Sequence, residues 1–145
     1  MRRTQRRRSG QVVVEMLLIL PVFLGIVFTI MEIGYVSFQL ILLNHATYEA
    51  ARVGGMTWFS AAGGQAKTTG VMKQFLPQAT VSCFTDKTLA DPQAGQDNFD
   101  LVCTGQEHVR LIFPISSIIL AKPKGTGTRE LIATVRMPIE QPLKK

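Results

Sequence analysis

The sequence predicts an α+β fold, in which a long transmembrane N-terminal helix continues into a small exported domain with a short helix and an antiparallel sheet. Three observations support this prediction. An almost unbroken apolar run extends from Met16 to Met31. Helical spacing of apolar residues continues beyond this run as far as Gly54. Short strand-like runs, separated by turn residues, fill the second half of the chain.

The apolar run is long enough to cross a bilayer. With the three valines before it, the run supplies about 20 residues, and a helix needs roughly that many to cross roughly 30 Å of hydrocarbon. Glu15 and Glu32 stand at its two ends. Because a carboxylate near a membrane core is costly, both glutamates are candidate functional residues.

The positive charge of the chain is concentrated in front of this helix. The formal net charge is +6, but five of the 16 Lys and Arg residues lie within the first ten positions, and the other 11 stand against 10 Asp and Glu. This distribution predicts a basic leader and no nucleic-acid partner. Arginine-rich flanks stay in the cytoplasm, which predicts a single pass with a cytoplasmic N-terminus and a periplasmic C-terminal domain. The leader arginines are Arg2, Arg3, Arg6, Arg7 and Arg8.

The leader ends in a pattern typical of a cleavage site. Gly10 is followed by Gln11, three valines and Glu15, and no A-x-A-like site for a signal peptidase follows the apolar run. The pattern resembles the prepilin signal of type IV pilins and pseudopilins. This resemblance implies that a prepilin peptidase cuts between Gly10 and Gln11. In an assembled filament, Glu15 of one subunit would then neutralise the new amine of Gln11 on its neighbour.

The helix is too long for the bilayer alone. Apolar residues recur at helical spacing from Ile33 to Leu43, and Gly54-Gly55 is a plausible helix end. A helix of about 40 residues extends roughly 60 Å, so its outer half must leave the membrane and pack against a domain. The predicted divisions are a leader at 1–10, the long helix at 11–55 and the exported domain at 56–145.

Three motifs along this helix make the resemblance more specific. They read Val-Glu-Met-Leu-Leu-Ile-Leu-Pro-Val from Val14, Met-Glu-Ile-Gly from Met31, and Ala-Thr-Tyr-Glu-Ala-Ala-Arg-Val-Gly from Ala46. In this order and spacing they resemble the TadE-like family, the pseudopilins of the tight-adherence (Tad), or type IVc, pilus. The resemblance implies a type IV pilin-like fold and assembly roles for Glu15, Pro21, Glu32, Gly34 and Arg52.

The same residues also have simpler interpretations. Arg52 can be a solvated cation that the helix dipole favours near a C-terminus. Glu32 can be an interfacial residue at the outer leaflet, and Glu15 can be its counterpart at the cytoplasmic face.

The exported domain is predicted to hold a short helix from Gln65 to Leu76, followed by four strands. Cys83 and Cys103 lie on two of these strands, and export to an oxidising space favours a disulfide between them over two buried thiols. Closing a loop of about 20 residues would contribute roughly 3 kcal/mol. The predicted strands are Thr80–Phe84, Asp100–Thr104, His108–Phe113 and Arg129–Met137.

No set of residues in the chain predicts catalysis. His45 and His108 lack neighbours at metal-ligand spacing, and the sequence contains neither a nucleophile elbow nor a phosphate loop. We therefore expect no enzyme activity, no cofactor and no metal.

The sequence thus predicts a minor pilin or pseudopilin of a Tad-type pilus in the bacterial inner membrane, which primes or caps the filament and enters the extracellular pilus after assembly. The implied partners are the prepilin peptidase, the major pilin and other minor pilins, the inner-membrane assembly platform and the lipid bilayer. The main alternative is an uncleaved single-pass membrane protein with a periplasmic interaction domain. The major subunits of this pilus class are, by the same resemblance, much shorter.

Overall fold

The computed structural model describes residues 3–58, 61–87, 99–113, 118–124 and 126–139. Helix α1 spans Arg3–Thr57, and helix α2 spans Ala61–Phe75. Strands β1 (Thr80–Lys87), β2 (Phe99–Arg110) and β3 (Thr128–Pro138) form one antiparallel sheet in the order β1-β2-β3. The predicted α+β fold, a long apolar helix followed by a short helix and an antiparallel sheet, is confirmed.

The sequence predicts that helix α1 ends at the glycine pair Gly54-Gly55, but the helix is longer. It begins before Gly10 and continues through Gly54 and Gly55 to Thr57. A Cβ atom on Gly54 would lie 2.6 Å from Leu101 Cδ2 and 2.8 Å from Thr68 Cγ2. The glycine therefore lets the sheet and α2 approach the helix closely, and it does not act as a helix stop.

The prediction of four strands was wrong for the middle of the sheet. The segments Asp100–Thr104 and His108–Phe113 are largely one continuous strand, β2, which ends at Arg110. Gly105 lies inside this strand and faces Thr47 on α1, and a Cβ atom there would collide with the threonine hydroxyl. Here too the glycine serves close packing. Residues 88–98 of the predicted loop after β1 lie outside the described residues.

The core lies between the outer half of α1, helix α2 and one face of the sheet. Leu43, Met72 and Leu101 are fully buried, one from each of these three elements. Small residues line α1 where it meets them, since Ala46 and Ala50 are also fully buried. Small side chains allow a sheet to lie close against a helix, which explains the alanine-rich sequence of this part of α1.

Strand β2 runs lengthwise along α1. Leu101 lies beside Gly54 at one end, and the backbone of Ile112 reaches Glu32 at the other. Between Gly54 and Glu32 the helix rises about 33 Å, and the extended chain from Leu101 to Ile112 covers about 36 Å. The matching lengths mean that α1 and β2 stay in contact along the whole domain.

Candidate functional site at the helix and domain junction

The inner part of α1 stands clear of the domain. Every residue from Gly10 to Leu24 is exposed, and the most apolar window of the helix has a mean hydropathy of 2.6 with none of it buried. From Val12 to Met31 the helix rises about 30 Å, the thickness of the hydrocarbon core. A long, exposed and apolar N-terminal helix of this kind is a membrane anchor.

Glu15 and Pro21 lie on this exposed part. Among the residues that the structure describes, Glu15 has no hydrogen-bond or ion-pair partner. The α-helix continues without interruption through Pro21. Both residues are exposed, so neither packs against the described part of the domain.

Glu32 is bound within its own chain. Its side chain is fully buried, although its neighbours Met31 and Ile33 are 58% and 49% exposed. Carboxylate oxygen Oε1 accepts a hydrogen bond from the backbone N–H of Ile112 at 2.9 Å, and Oε2 accepts one from Phe113 at 3.0 Å. We call this arrangement the Glu32 clamp. It attaches the segment after β2 to the point where α1 meets the domain.

An aromatic pair lies one helical turn below the clamp, toward the N-terminus. The rings of Phe28 and Phe113 are stacked, with centroids 4.8 Å apart and an angle of 10° between their planes. A stacked pair of this kind contributes roughly 0.5–1.5 kcal/mol beyond its buried area. The segment after β2 is therefore held to α1 by both a polar and an aromatic contact.

The other two predicted assembly residues are not part of the clamp. An added Cβ on Gly34 would have no atom within 4 Å, so this face of α1 is open. Arg52 is 55% exposed and lies 3.9 Å from Glu49, a surface pair that contributes little. Of the five predicted positions, only Glu32 contacts the domain through its side chain as a buried partner.

A second polar contact supports the free edge of the sheet. The side chain of Gln65 on α2 donates to the carbonyl of Val81 at 2.7 Å and accepts from the N–H of Cys83 at 3.1 Å. The side-chain amide thus pairs with β1 as a further strand would. Nothing in the spacing of polar residues marks Gln65, so this role could not be predicted from the sequence.

The two cysteines lie directly opposite each other on β1 and β2. Cys83 pairs with Cys103 in the register of the sheet, their Cα atoms are 4.1 Å apart, and the two sulfur atoms are bonded. The disulfide and the Gln65 contact lie on the same short stretch of β1. Together they fix the edge strand to its neighbours on both sides.

Glu107 is a further carboxylate of interest, which the sequence gives no reason to single out. Glu107 faces the core from β2, and its Oε2 has no hydrogen-bond partner among the described residues. Burial raises the pKa of Glu107 from its ordinary value of 4.5. Within the same residues, no group of three or more His, Cys, Asp or Glu side chains could hold a metal ion.

The comparison with protein families matches the part of α1 that carries Glu32. A family model described as TadE-like protein matches residues 10–52, which run from the predicted cleavage site through Glu32 to Arg52. The comparisons with curated proteins and with solved structures find no match. Residues 10–52, which are less than a third of the chain, thus resemble the TadE-like family.

Proposed function

We propose that the chain is a minor pilin or pseudopilin of a Tad-type pilus, assembled through α1 to prime or cap the filament. The observation that carries this proposal is the bare inner part of α1, which is exposed from Gly10 to Leu24 among the described residues and continues as one helix into the domain. An element that can exchange lipid for neighbouring helices, while carrying a domain at its outer end, suits a filament subunit.

In this proposal a prepilin peptidase at the inner membrane removes residues 1–10 on the cytoplasmic side. The new amine of Gln11 then lies four residues before Glu15, on the exposed apolar part of α1. In the filament, Glu15 of an incoming subunit pairs with the amine of its neighbour, and the assembly platform moves the pair outward. Glu15 suits this role because no described side chain of its own chain binds it.

The proposal assigns the domain to binding and not to catalysis. The polar contacts that the structure shows at Glu32 and Gln65 hold elements of the domain together. The domain would face the periplasm before assembly and the tip or base of the filament afterwards. Its partners would be the major pilin and the other minor pilins.

The decisive experiment follows the N-terminus and the pilus in the same cells. Mass spectrometry of the membrane fraction should give a chain that begins at Gln11, and Gly10→Leu should leave the leader attached. Since an added Cβ at Gly10 meets nothing within 4 Å, this variant should fold normally. Glu15→Ala and the isosteric Glu15→Gln should both be cleaved and yet abolish piliation.

Gly25→Leu serves as the matched control, because an added Cβ atom on Gly25, another glycine of the apolar helix, also meets no described atom within 4 Å. It should be cleaved like the native chain. An intact leader in the native protein, or normal piliation in both Gly10→Leu and Glu15→Ala, would instead indicate the uncleaved membrane-anchored protein.

A further inference from the structure

Strand β3 forms an open edge of the sheet. Within the described part of the chain, the outer side of β3 has a backbone partner only at its lower end, where the N–H of Lys122 donates to the carbonyl of Thr128 at 2.9 Å. The opposite edge, β1, is instead covered in part by the side chain of Gln65. Strand β3 keeps an unbroken register with β2 as far as Pro138, without the bulge or internal proline that protects many edges. An edge of this kind is a template for a further strand.

The hydrogen bonds at the two ends of the β2–β3 ladder show which backbone groups point outward. The N–H of Leu111 donates to Gly127, and the N–H of Ile139 donates to Phe99. Because bonded pairs recur at every second residue of an antiparallel ladder, the odd-numbered residues of β3 bond to β2, and the even-numbered ones point their N–H and C=O groups away from it. The outward carbonyl of Thr128 agrees with this assignment. The residues with outward groups that no described residue pairs are Glu130, Ile132, Thr134 and Arg136.

A hollow lies beside this edge, between β3 and α1. Its volume is about 190 Å³. On the α1 side, Ile33 and Leu40 remain 49% and 37% exposed. Drug-sized ligands occupy pockets of roughly 300–1,000 Å³, so the hollow has room for one or two side chains and not for a whole ligand of that size. The aliphatic residues that line it are Ile33, Val36, Leu40, Leu120 and Leu131.

Arg129 brings a positive charge to the hollow. It lines the hollow and is half-buried, and its guanidinium group has no hydrogen bond or ion pair with any described residue. Arg136, farther along the same strand, is instead paired with Asp86 and Asp100. Since Arg129 and Leu131 are two residues apart, their side chains lie on the same face of β3. The hollow therefore suits a ligand that presents an acidic group next to an apolar one.

We propose that the groove between the outer edge of β3 and α1 binds an extended peptide segment of another protein, which adds a fourth strand to the sheet. The backbone of this segment pairs with the outward groups of Glu130, Ile132 and Thr134. A large apolar side chain of the segment enters the hollow, and an Asp or Glu two positions away pairs with Arg129. The unpaired backbone groups favour a peptide over a lipid, because lipid tails neither donate nor accept hydrogen bonds. The proposal does not depend on cleavage or pilus assembly.

The direction of β3 excludes its own counterpart in a second copy as the added strand. The strand begins at Thr128, opposite Arg110, and rises to Pro138, whose carbonyl oxygen would lie 3.1 Å from a Cβ atom on Gly55. It therefore runs away from the membrane-spanning part of α1. Antiparallel pairing of two β3 edges would point the two α1 helices in opposite directions, which is incompatible with both chains standing in one membrane with the same topology.

The first test measures binding of a fluorescent octapeptide to the full chain in nanodiscs of phosphatidylcholine, by anisotropy. The peptide is Thr-Val-Thr-Leu-Thr-Asp-Thr-Val, and a second peptide carries Asn in place of Asp. On the native chain the Asn peptide should bind about tenfold more weakly, because a hydrogen bond to a charged group contributes at least about that factor. This difference should vanish in Arg129→Gln and persist in the control Arg110→Gln, which changes an exposed arginine at the end of β2. Absence of binding at millimolar peptide, or an unchanged difference in Arg129→Gln, overturns the proposal.

N-methylation of the peptide tests the backbone pairing without altering the protein. In an antiparallel added strand the threonine N–H groups point toward β3 and those of Leu and Asp point away, whereas a parallel strand reverses this arrangement. One peptide is methylated at the two threonines that flank Leu, and the other at Leu and Asp. One of the two should bind at least about tenfold more weakly than the other, and the weaker one gives the direction of the strand. Equal affinities would overturn strand addition.

An anionic lipid is the competing occupant of the hollow. Counted from Val12, α1 has risen about 32 Å at Ile33, so the hollow begins at the outer boundary of the hydrocarbon and a lipid phosphate could reach Arg129. Native mass spectrometry would then find phosphatidylglycerol retained by the native chain and lost from Arg129→Gln, while neither peptide binds. That outcome overturns the proposal, and peptide binding that is unchanged when phosphatidylglycerol is added to the nanodiscs supports it.

Discussion

Replacing Glu32 tests whether the clamp holds the domain to the membrane helix. A hydrogen bond from a neutral donor to a charged group contributes roughly 1.5–3 kcal/mol. The N–H groups of Ile112 and Phe113 are only partly buried, so water can partly replace the carboxylate as their acceptor in the variant. We therefore use the lower end of this range for each bond. We therefore expect Glu32→Ala to cost about 3 kcal/mol for the two bonds together.

This cost should appear as local opening and not as global unfolding. The core of the domain around Leu43 and Leu101 does not depend on the clamp, whereas the segment after β2 is attached to α1 through it. At 1.36 kcal/mol for each factor of ten, a loss of about 3 kcal/mol makes opening about 150-fold more frequent. Glu32→Gln keeps one acceptor oxygen and should have about half of this free-energy effect.

Hydrogen exchange measures this opening. The full chain is placed in lipid nanodiscs, and mass spectrometry reads the exchange of the segment that contains Ile112 and Phe113. Glu49→Ala is the matched control, because Glu49 is also a glutamate of α1 but makes only the weak 3.9 Å pair with Arg52. The reasoning is refuted if these two amides exchange as slowly in Glu32→Ala as in Glu49→Ala.

Three further predictions concern the domain, and each can be measured by unfolding of the full chain in detergent. Gly105→Ala should destabilise the fold by roughly 1–3 kcal/mol, because the added methyl collides with α1. The control Gly70→Ala, in an open helical position, should stabilise the fold by roughly 0.5–1 kcal/mol. Equal effects of the two substitutions would contradict the close-packing role of Gly105. Replacing Cys83 and Cys103 together with serine should cost about 3 kcal/mol, and unchanged stability would show that the edge of the sheet does not need the disulfide. Because burial raises the pKa of Glu107, the folded chain binds the proton of this carboxyl group more tightly than the unfolded chain does. The free energy of unfolding should therefore fall as the pH rises from 4.5 to the raised pKa, and then level off. Glu107→Gln should remove that dependence, and an identical pH profile in the variant would contradict it.

The membrane helix could be predicted from sequence because its signal is local. The apolar run from Met16 to Met31 and the spacing of apolar residues beyond it reflect one continuous helix, which can be predicted without knowledge of distant partners. The same holds for the short helix, whose stop before Pro77 follows from the proline itself.

The roles of the glycines and of Glu32 could not be predicted in this way. The sequence predicts a helix end at Gly54 and marks nothing at Gly105, but each glycine is needed for the approach of an element far along the chain. The partners of Glu32 lie 80 and 81 residues away. A single sequence records that a glutamate follows an apolar run, and it does not record which backbone groups will need an acceptor.

The clamp also separates the roles of the two glutamates that bracket the apolar run. Both oxygens of Glu32 are occupied by the domain of the same chain, so this carboxylate is not available to a neighbouring subunit unless the segment after β2 opens. Glu15 has no such partner among the described residues, and its exposed position leaves it open to lipid or another chain. We therefore expect loss of Glu15 to impair assembly while leaving the domain intact. Loss of Glu32 should instead loosen the domain and leave cleavage at Gly10 unchanged, which mass spectrometry of the two variants would distinguish.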